Sequence, residues 1–238
     1  MSMSTRRVRA IYRKEVREYR RNNSIVVAMT VIPLIFLIQP LVFVFALAPE
    51  AAATVAHKHL LLYMLGIPAL VPALIAAYAV IGERQQATLE PILTTPVRRE
   101  EFLLGKALAV FVPSVAVAYA VYALFLACVG AFAEASVASA LLRWPQILAQ
   151  VVFTPLIAGW SIWLGIGISA RSSDIRVAQQ LGLLASLPTV LVTSLVGFDV
   201  IHASVGLAVG LGAVLLLLDG LGWRITSAMF NRERLLTS

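Results

Sequence analysis

Three histidines, one cysteine and a polar run from Gly82 to Lys106 hold most of the side chains in this 238-residue sequence whose types could do chemistry. His57 and His59 form a His-x-His pair that, with His202, could bind a metal ion. No Cys, Asp or Glu completes a shell of four ligands around them, so they read as interfacial polar residues with no metal site. Cys128 is the only cysteine and lies within an apolar run, which excludes an intrachain disulfide and leaves it a packing residue. No HExxH or GxSxG occurs, which weighs against an intramembrane enzyme, and no GxxxxGK[ST] occurs, so the chain is expected to hydrolyse no ATP itself. What remains is "GERQQATLEPILTTPVRREEFLLGK", with four Lys or Arg and four Glu between long apolar segments.

Those segments decide what the polar run can be. Apolar types make up 60% of the chain and charged types 13%, and mean hydropathy is +0.90, far outside the range of a soluble globular domain. At a rise of ~1.5 Å per residue, a helix needs roughly 20 apolar residues to cross ~30 Å of hydrocarbon. Six stretches qualify: Ser24–Ala48, His59–Ile81, Ala107–Gly130, Gln146–Ala170, Ala178–Gly197 and Ile201–Asp219. Only helices satisfy every backbone polar group inside lipid, so the sequence predicts an all-α integral membrane protein with six transmembrane helices. Ala46, Leu47 and Ala48 resemble a signal-peptide cleavage site, but the apolar run before them exceeds the roughly 7–15 residues of such peptides. It is expected to remain as the first span.

The formal net charge of +7 follows the spans and is no nucleic-acid footprint. Of 19 Lys and Arg, 17 fall in the N-terminal segment, the connections after spans two and four, and the C-terminal end. By the positive-inside rule that side is cytoplasmic, which places both termini and residues 82–106 there in a multi-pass protein of the cell inner membrane.

The N-terminal "RRVRAIYRKEVREYRR" sets Val8, Ile11, Tyr12, Val16 and Tyr19 near helical spacing with Arg and Lys on the other faces. It predicts an amphipathic interfacial helix over residues 1–23. Two compatible roles follow: a basic anchor on anionic membrane lipid, at about 1 kcal/mol per cation, or a lever on a cytoplasmic partner. Asn22, Asn23 and Ser24 supply turn and cap chemistry before span one. Pro33, Pro40, Pro68, Pro72, Pro113, Pro155 and Pro188 each remove a backbone hydrogen bond and favour kinks. Gly206, Gly210 and Gly212 in span six, and Gly165, Gly167 and Ser169 in span four, are expected to allow close helix approach. "AFAEASVASALLRWP" predicts a short helix between spans three and four. No clear ionisable residue marks the spans, which weighs against a proton-driven secondary carrier or a channel. Asp219 is expected at the end of span six, paired with Arg224 or facing water. Gln39, Gln150, Thr154, Thr193 and Ser194 are the polar side chains at membrane depth expected to line a pathway, with Ser161 as a further candidate.

Within the polar run, Thr88 can cap a short helix that ends before Thr94, with Leu89, Ile92 and Leu93 on one side. A second helix is expected to start at Pro96 and run through Arg98 into span three. In order and spacing, Glu83, Ala87-Thr88-Leu89-Glu90, Ile92, Leu93, Thr95-Pro96-Val97, Arg98, Gly105 and Lys106 resemble the segment between spans two and three of the membrane permeases of type-2 ATP-binding-cassette transporters, mostly exporters. Ala87 stands where that family has glycine. The resemblance extends to the basic helix before span one, the six spans and the cytoplasmic termini.

The resemblance implies a six-span domain over residues 24–220, a coupling loop over 82–106 and a cytoplasmic tail over 221–238. It implies that Glu83, Thr88, Leu89, Glu90, Ile92, Leu93, Thr95, Pro96 and Arg98 couple the chain to a separate ATPase subunit, the short transverse helix seating in a groove of that subunit. ATP and Mg would then be held by the ATPase, with no cofactor in this chain. Two ATPases and a second permease, in a homodimer or heterodimer, would complete the transporter. Family members often carry re-entrant helices between spans five and six, for which residues 178–220 leave almost no room. An apolar pathway with a few Gln, Ser and Thr suits an amphiphile, drug or lipid-like substrate.

Overall fold

The structure, a computed structural model, describes residues 4–46, 60–85 and 98–229. Those residues are almost wholly helical and include no strand. They form α1 (Thr5–Tyr19), α2 (Asn23–Ala46), a 3-10 turn (Leu60–Leu65), α3 (Gly66–Ala76), α4 (Tyr78–Gln85), α5 (Arg99–Phe132), α6 (Ala135–Leu141), α7 (Trp144–Arg171), α8 (Ile175–Gly197) and α9 (Val205–Met229). Among the described residues, six segments are long and apolar enough to cross a membrane: α2, Leu61–Glu83, α5, α7, α8 and α9. The all-α, six-helix membrane architecture is the one the sequence predicts, and the helix between spans three and four forms as α6.

Span two is the axis of the bundle: 83% of its apolar window is buried, against 0% for α9. Its α3 portion, "GIPALVPALIA", is apolar on every side, as a helix surrounded by others must be. Small residues set how close its neighbours come. A Cβ on Gly165 of α7 would stand 2.6 Å from Ala76 Cβ, and one on Gly182 of α8 would stand 3.4 Å from the Ala73 carbonyl oxygen. Where lipid is as apolar as leucine, such close approach supplies the dispersion contacts that hold helices together. Gly210 and Gly212 of α9, by contrast, have nothing within 4 Å, and neither has Gly167. The glycine through which α9 packs is Gly222, where a Cβ would meet Trp163 Cβ at 2.7 Å.

Proline places the breaks less directly than expected. Span two is interrupted at Ala77, beyond Pro72, and the interruption is occupied by a side chain from another helix. The Val80 and Ile81 amides donate to Ser169 Oγ at 3.1 and 3.2 Å, and the Ser169 hydroxyl donates to the Ala77 carbonyl at 2.7 Å. A hydroxyl inserted into the helix ladder is a recognised cause of a kink. In α7, Pro155 has no N–H for the Val151 carbonyl, and Tyr119 of α5 donates its hydroxyl there at 2.7 Å.

The last span also departs from expectation. α9 continues to Met229, so Asp219 lies inside the helix and not at its end. Its carboxyl faces α7, where a Cβ on Gly159 would stand 2.8 Å from Asp219 Oδ1. That oxygen is buried without a hydrogen-bond partner, and no ion pair joins Asp219 to Arg224 among the described residues. The expected span ends at its first charge, Asp219, whereas the helix continues beyond it to Met229. Of the histidines, His57 and His59 lie outside the described residues, and His202 Nδ1 is 3.0 Å from Asp199 Oδ1 in the turn between α8 and α9.

Candidate functional site

The basic end of the bundle carries the most polar interior. α1 occupies Thr5–Tyr19 of the 1–23 over which the sequence predicts a helix, with Val8 and Tyr19 buried and Ile11, Tyr12 and Val16 packed against the core. Asn22 then caps α2, its Oδ1 accepting from the Ser24 and Ile25 amides at 3.0 and 3.4 Å. The two chain segments therefore meet at a sharp, hydrogen-bonded corner, and α1 folds back across the base of α5. A Cβ on Gly105 would stand 2.7 Å from Ile11 Cγ2 and 3.3 Å from the Val8 carbonyl oxygen, so glycine is what lets α1 lie directly on α5.

Beside that crossing, Lys106 turns inward. Its side chain is 1% exposed, and Nζ lies 2.9 Å from both Glu15 Oε1 of α1 and Glu83 Oε1 of α4. The ammonium also sits 5.0 Å from the centroid of the Phe102 ring, a favourable cation–π position. Lys14 closes the group from the other side, 2.9 Å from Glu83, 3.2 Å from Glu18 and 3.3 Å from Glu15. Three carboxylates thus share two ammoniums, and a cavity of about 380 Å³ next to them is lined by Glu18, Tyr19, Arg21 and Tyr78 as well. Burial alone would raise the Glu15 carboxyl, but the Lys106 and Lys14 ammoniums outweigh it and hold Glu15 below the usual carboxylate range. Burial would lower Lys14, and the carboxylates around it carry it above the usual lysine range instead. Burial and the neighbouring Glu15 push the Tyr19 phenol well above the tyrosine range, so it stays protonated.

A second tie holds the other end of α1. Glu101, fully buried, accepts the Ser4 amide at 2.7 Å and the Arg98 amide at 3.2 Å, and its Oε2 lies 3.4 Å from an Arg7 guanidinium nitrogen. Because Arg98 has extended backbone, with φ −76° and ψ 146°, α5 starts at Arg99 and not at Pro96 as expected. Nothing in this arrangement is a nucleophile poised beside a base. It joins three helices, α1, α4 and α5, by charge.

Of the residues expected to couple, Glu83 and Arg98 stand at the two sides of the polar loop, whereas Thr88, Leu89, Glu90, Ile92, Leu93, Thr95 and Pro96 lie outside the described residues. Sequence reasoning missed Glu15, Lys14 and Glu101 as partners, and it left Lys106 as a motif residue without a role. One signal was available: Glu15 falls on the same helical stripe as Val8, Ile11 and Tyr19, where an acid is out of place. Lys106 stands one residue ahead of Ala107, where span three is expected to start, on the same continuous helix α5.

The expected pathway residues do not form one group. Gln150 and Thr154 are buried a turn apart on α7, without partners for either Gln150 amide atom or for Thr154 Oγ1. Gln39 lies on an exposed face of α2 and accepts the Tyr63 hydroxyl, and Thr193 and Ser194 are half-buried on α8. Ser161 of α7 and Ser114 and Tyr122 of α5 are also buried with unpartnered hydroxyls.

Residues 9–219 match the family described as ABC-2 family transporter protein, a stretch that runs from within α1 to Asp219 and takes in the whole charged junction. The chain belongs to the ABC-2 transporter family. No curated protein matches it. As an ABC-2 permease subunit it is a multi-pass membrane protein that partners an ATP-binding subunit in a transporter complex. In the permease, the residues buried at the junction come from the two helices that flank the loop and from the helix that precedes the first span.

Proposed function

We propose that this ABC-2 permease exports a small amphiphile, drug or lipid-like molecule across the cell inner membrane, driven by ATP hydrolysed on separate subunits. The observation that carries the coupling mechanism is the position of Lys106 Nζ, 2.9 Å from Glu15 and 2.9 Å from Glu83. The end of α4 and the start of α5 are the two roots of the polar loop, and one buried ammonium binds both of them to α1. A load applied at Thr88, Leu89, Glu90, Ile92, Leu93, Thr95 or Pro96 therefore arrives at a single rigid junction and moves spans one, two and three together. The excess of Lys and Arg at this end supports a cytoplasmic position for it, on the side of the ATPase.

The ATPases hold ATP and Mg, and closure of the ATPase pair supplies the load. Two permeases, identical or similar, face each other across the pathway. The large apolar side chains exposed on α2, α8 and α9 are consistent with surfaces shared between lipid and that second subunit. Unpartnered polar groups at Gln150 and Thr154 suit a substrate that is apolar in bulk with a few hydrogen-bonding atoms.

The test is reconstitution of the purified complex, with substrate-stimulated ATP hydrolysis measured for Leu89→Ala, Glu90→Ala and Thr95→Ala. Stimulation is expected to collapse while assembly of the permease in the membrane persists. A complex that contains no nucleotide-binding subunit, or variants that keep full stimulation, would sink the proposal.

A further inference from the structure

We propose that α1 binds anionic phospholipid headgroups along the arginine face it turns away from the bundle. Arg6, Arg9, Arg13, Arg17 and Arg20 are all exposed. At 100° per residue they fall within an arc of about 80° and extend for about 21 Å along the helix. Val8, Glu15 and Tyr19, which dock on α4 and α5, occupy the far side. The acids of α1 are spent on that far side, where Glu15 and Glu18 meet Lys14 and Lys106. Among the described residues, none of the five arginines makes an ion pair.

Three features favour lipid over protein as the partner. The stripe ends at Arg20, and α2 opens only at Asn23, so its last member lies at the level where the chain enters the bilayer. The first turns of α2 expose Val26, Val27 and Val31, apolar side chains suited to hydrocarbon just beyond the stripe. The stripe also lies across α1 from Glu83 and Lys106, the roots of the loop, so a subunit seated on the loop meets α1 from its other side. Its composition fits phosphate as well, being arginine throughout, with planar forks that grip phosphate oxygens in pairs. α1 is then held between the charged junction on one face and the anionic leaflet on the other. Through the coupling role proposed above, lipid charge would set how firmly the loop's roots are held.

The full-length permease is to be purified with its ATPase, reincorporated into nanodiscs of phosphatidylcholine with phosphatidylglycerol, and analysed for retained lipid by native mass spectrometry. Wild type is expected to retain phosphatidylglycerol preferentially. Arg9→Gln/Arg13→Gln/Arg17→Gln is expected to lose roughly fivefold in preference per arginine removed, and the matching lysine variant to recover part of it. Phosphatidylglycerol is expected to raise the thermal midpoint of the delipidated wild type, whereas inorganic phosphate leaves it unchanged. Equal retention by wild type and the glutamine variant overturns the proposal. So does a gain from inorganic phosphate alone, which would make the stripe a free-anion site, or dissociation of the ATPase with retention unchanged, which would make it a protein dock. Because lipid retention is read without transport, it stands or falls apart from the coupling mechanism; loss of lipid-dependent transport alone would fault only the latter.

Discussion

Lys106 and Glu83 stand at opposite ends of the polar loop, yet Nζ and Oε1 are 2.9 Å apart in the buried junction, with Glu15 of α1 at the same distance from the same nitrogen. Breaking a buried ion pair on one side strands the other charge, at a cost of about 3–5 kcal/mol, whereas replacing all partners with neutral groups is often tolerated. Lys106→Met should therefore lower the thermal midpoint sharply. The triple variant Glu15→Gln/Glu83→Gln/Lys106→Met should regain most of the stability without regaining coupled ATP hydrolysis. If the triple variant is no more stable than Lys106→Met, the charges are not acting as one unit.

The junction also carries a pH dependence. Glu15 is held below its ordinary value of 4.5, so its contribution is complete above that pH and is lost as pH falls through the lower native value. Lys14, raised in the folded protein, keeps its contribution throughout this range and loses it only in strong base. Thermal midpoints measured from neutral pH downward should fall below pH 4.5 in the wild type. The decline should be shallower in Glu15→Gln, and parallel curves would count against this account.

Two glycine substitutions distinguish contact within the subunit from contact outside it. Gly105→Ala forces a methyl against Ile11 and the Val8 carbonyl, and overpacking of this kind costs about 1–3 kcal/mol. It should also expose α1 to limited proteolysis. Gly210→Ala meets nothing within 4 Å in the subunit and should stabilise α9 by about 0.5–1 kcal/mol through helix propensity. A destabilising Gly210→Ala would show that this face of α9 is covered by another subunit.

Asp219 presents a third case. Its Oδ1 is buried against α7 with no partner in the subunit, and leaving a polar group so placed costs about 1–3 kcal/mol. Asp219→Leu, which removes that group, should raise the melting temperature of the detergent-purified permease. A fall would reveal a partner supplied by a second chain.

The architecture was legible because lipid imposes simple rules. Hydropathy located the spans, and alternation of Lys and Arg singled out the basic end; Asn22 announced the corner between α1 and α2 through its cap chemistry. What escaped notice was tertiary. Lys106 acquires its role only when α1 folds back onto α5, and no local pattern encodes that return, although Glu15 on the apolar stripe hinted at it. The break in span two lies at Ala77 because Ser169 reaches it from α7, a contact that the positions of Pro68 and Pro72 do not foretell. Gly206, Gly210 and Gly212 looked like packing glycines by spacing alone, whereas packing at Gly222 depends on where Trp163 falls.

The bond from Tyr119 to the Val151 carbonyl also bears on how the chain is made. Pro155 leaves that carbonyl with no donor in its own helix, and in hydrocarbon an open carbonyl costs several kcal/mol. α7 on its own would carry this penalty, and α5 relieves it as soon as the two lie side by side. The short α6 connection keeps them adjacent from synthesis onward. Biogenesis should therefore deliver spans three and four to the lipid as a hairpin, already hydrogen-bonded, and Tyr119→Phe should slow that step more than it harms the finished transporter.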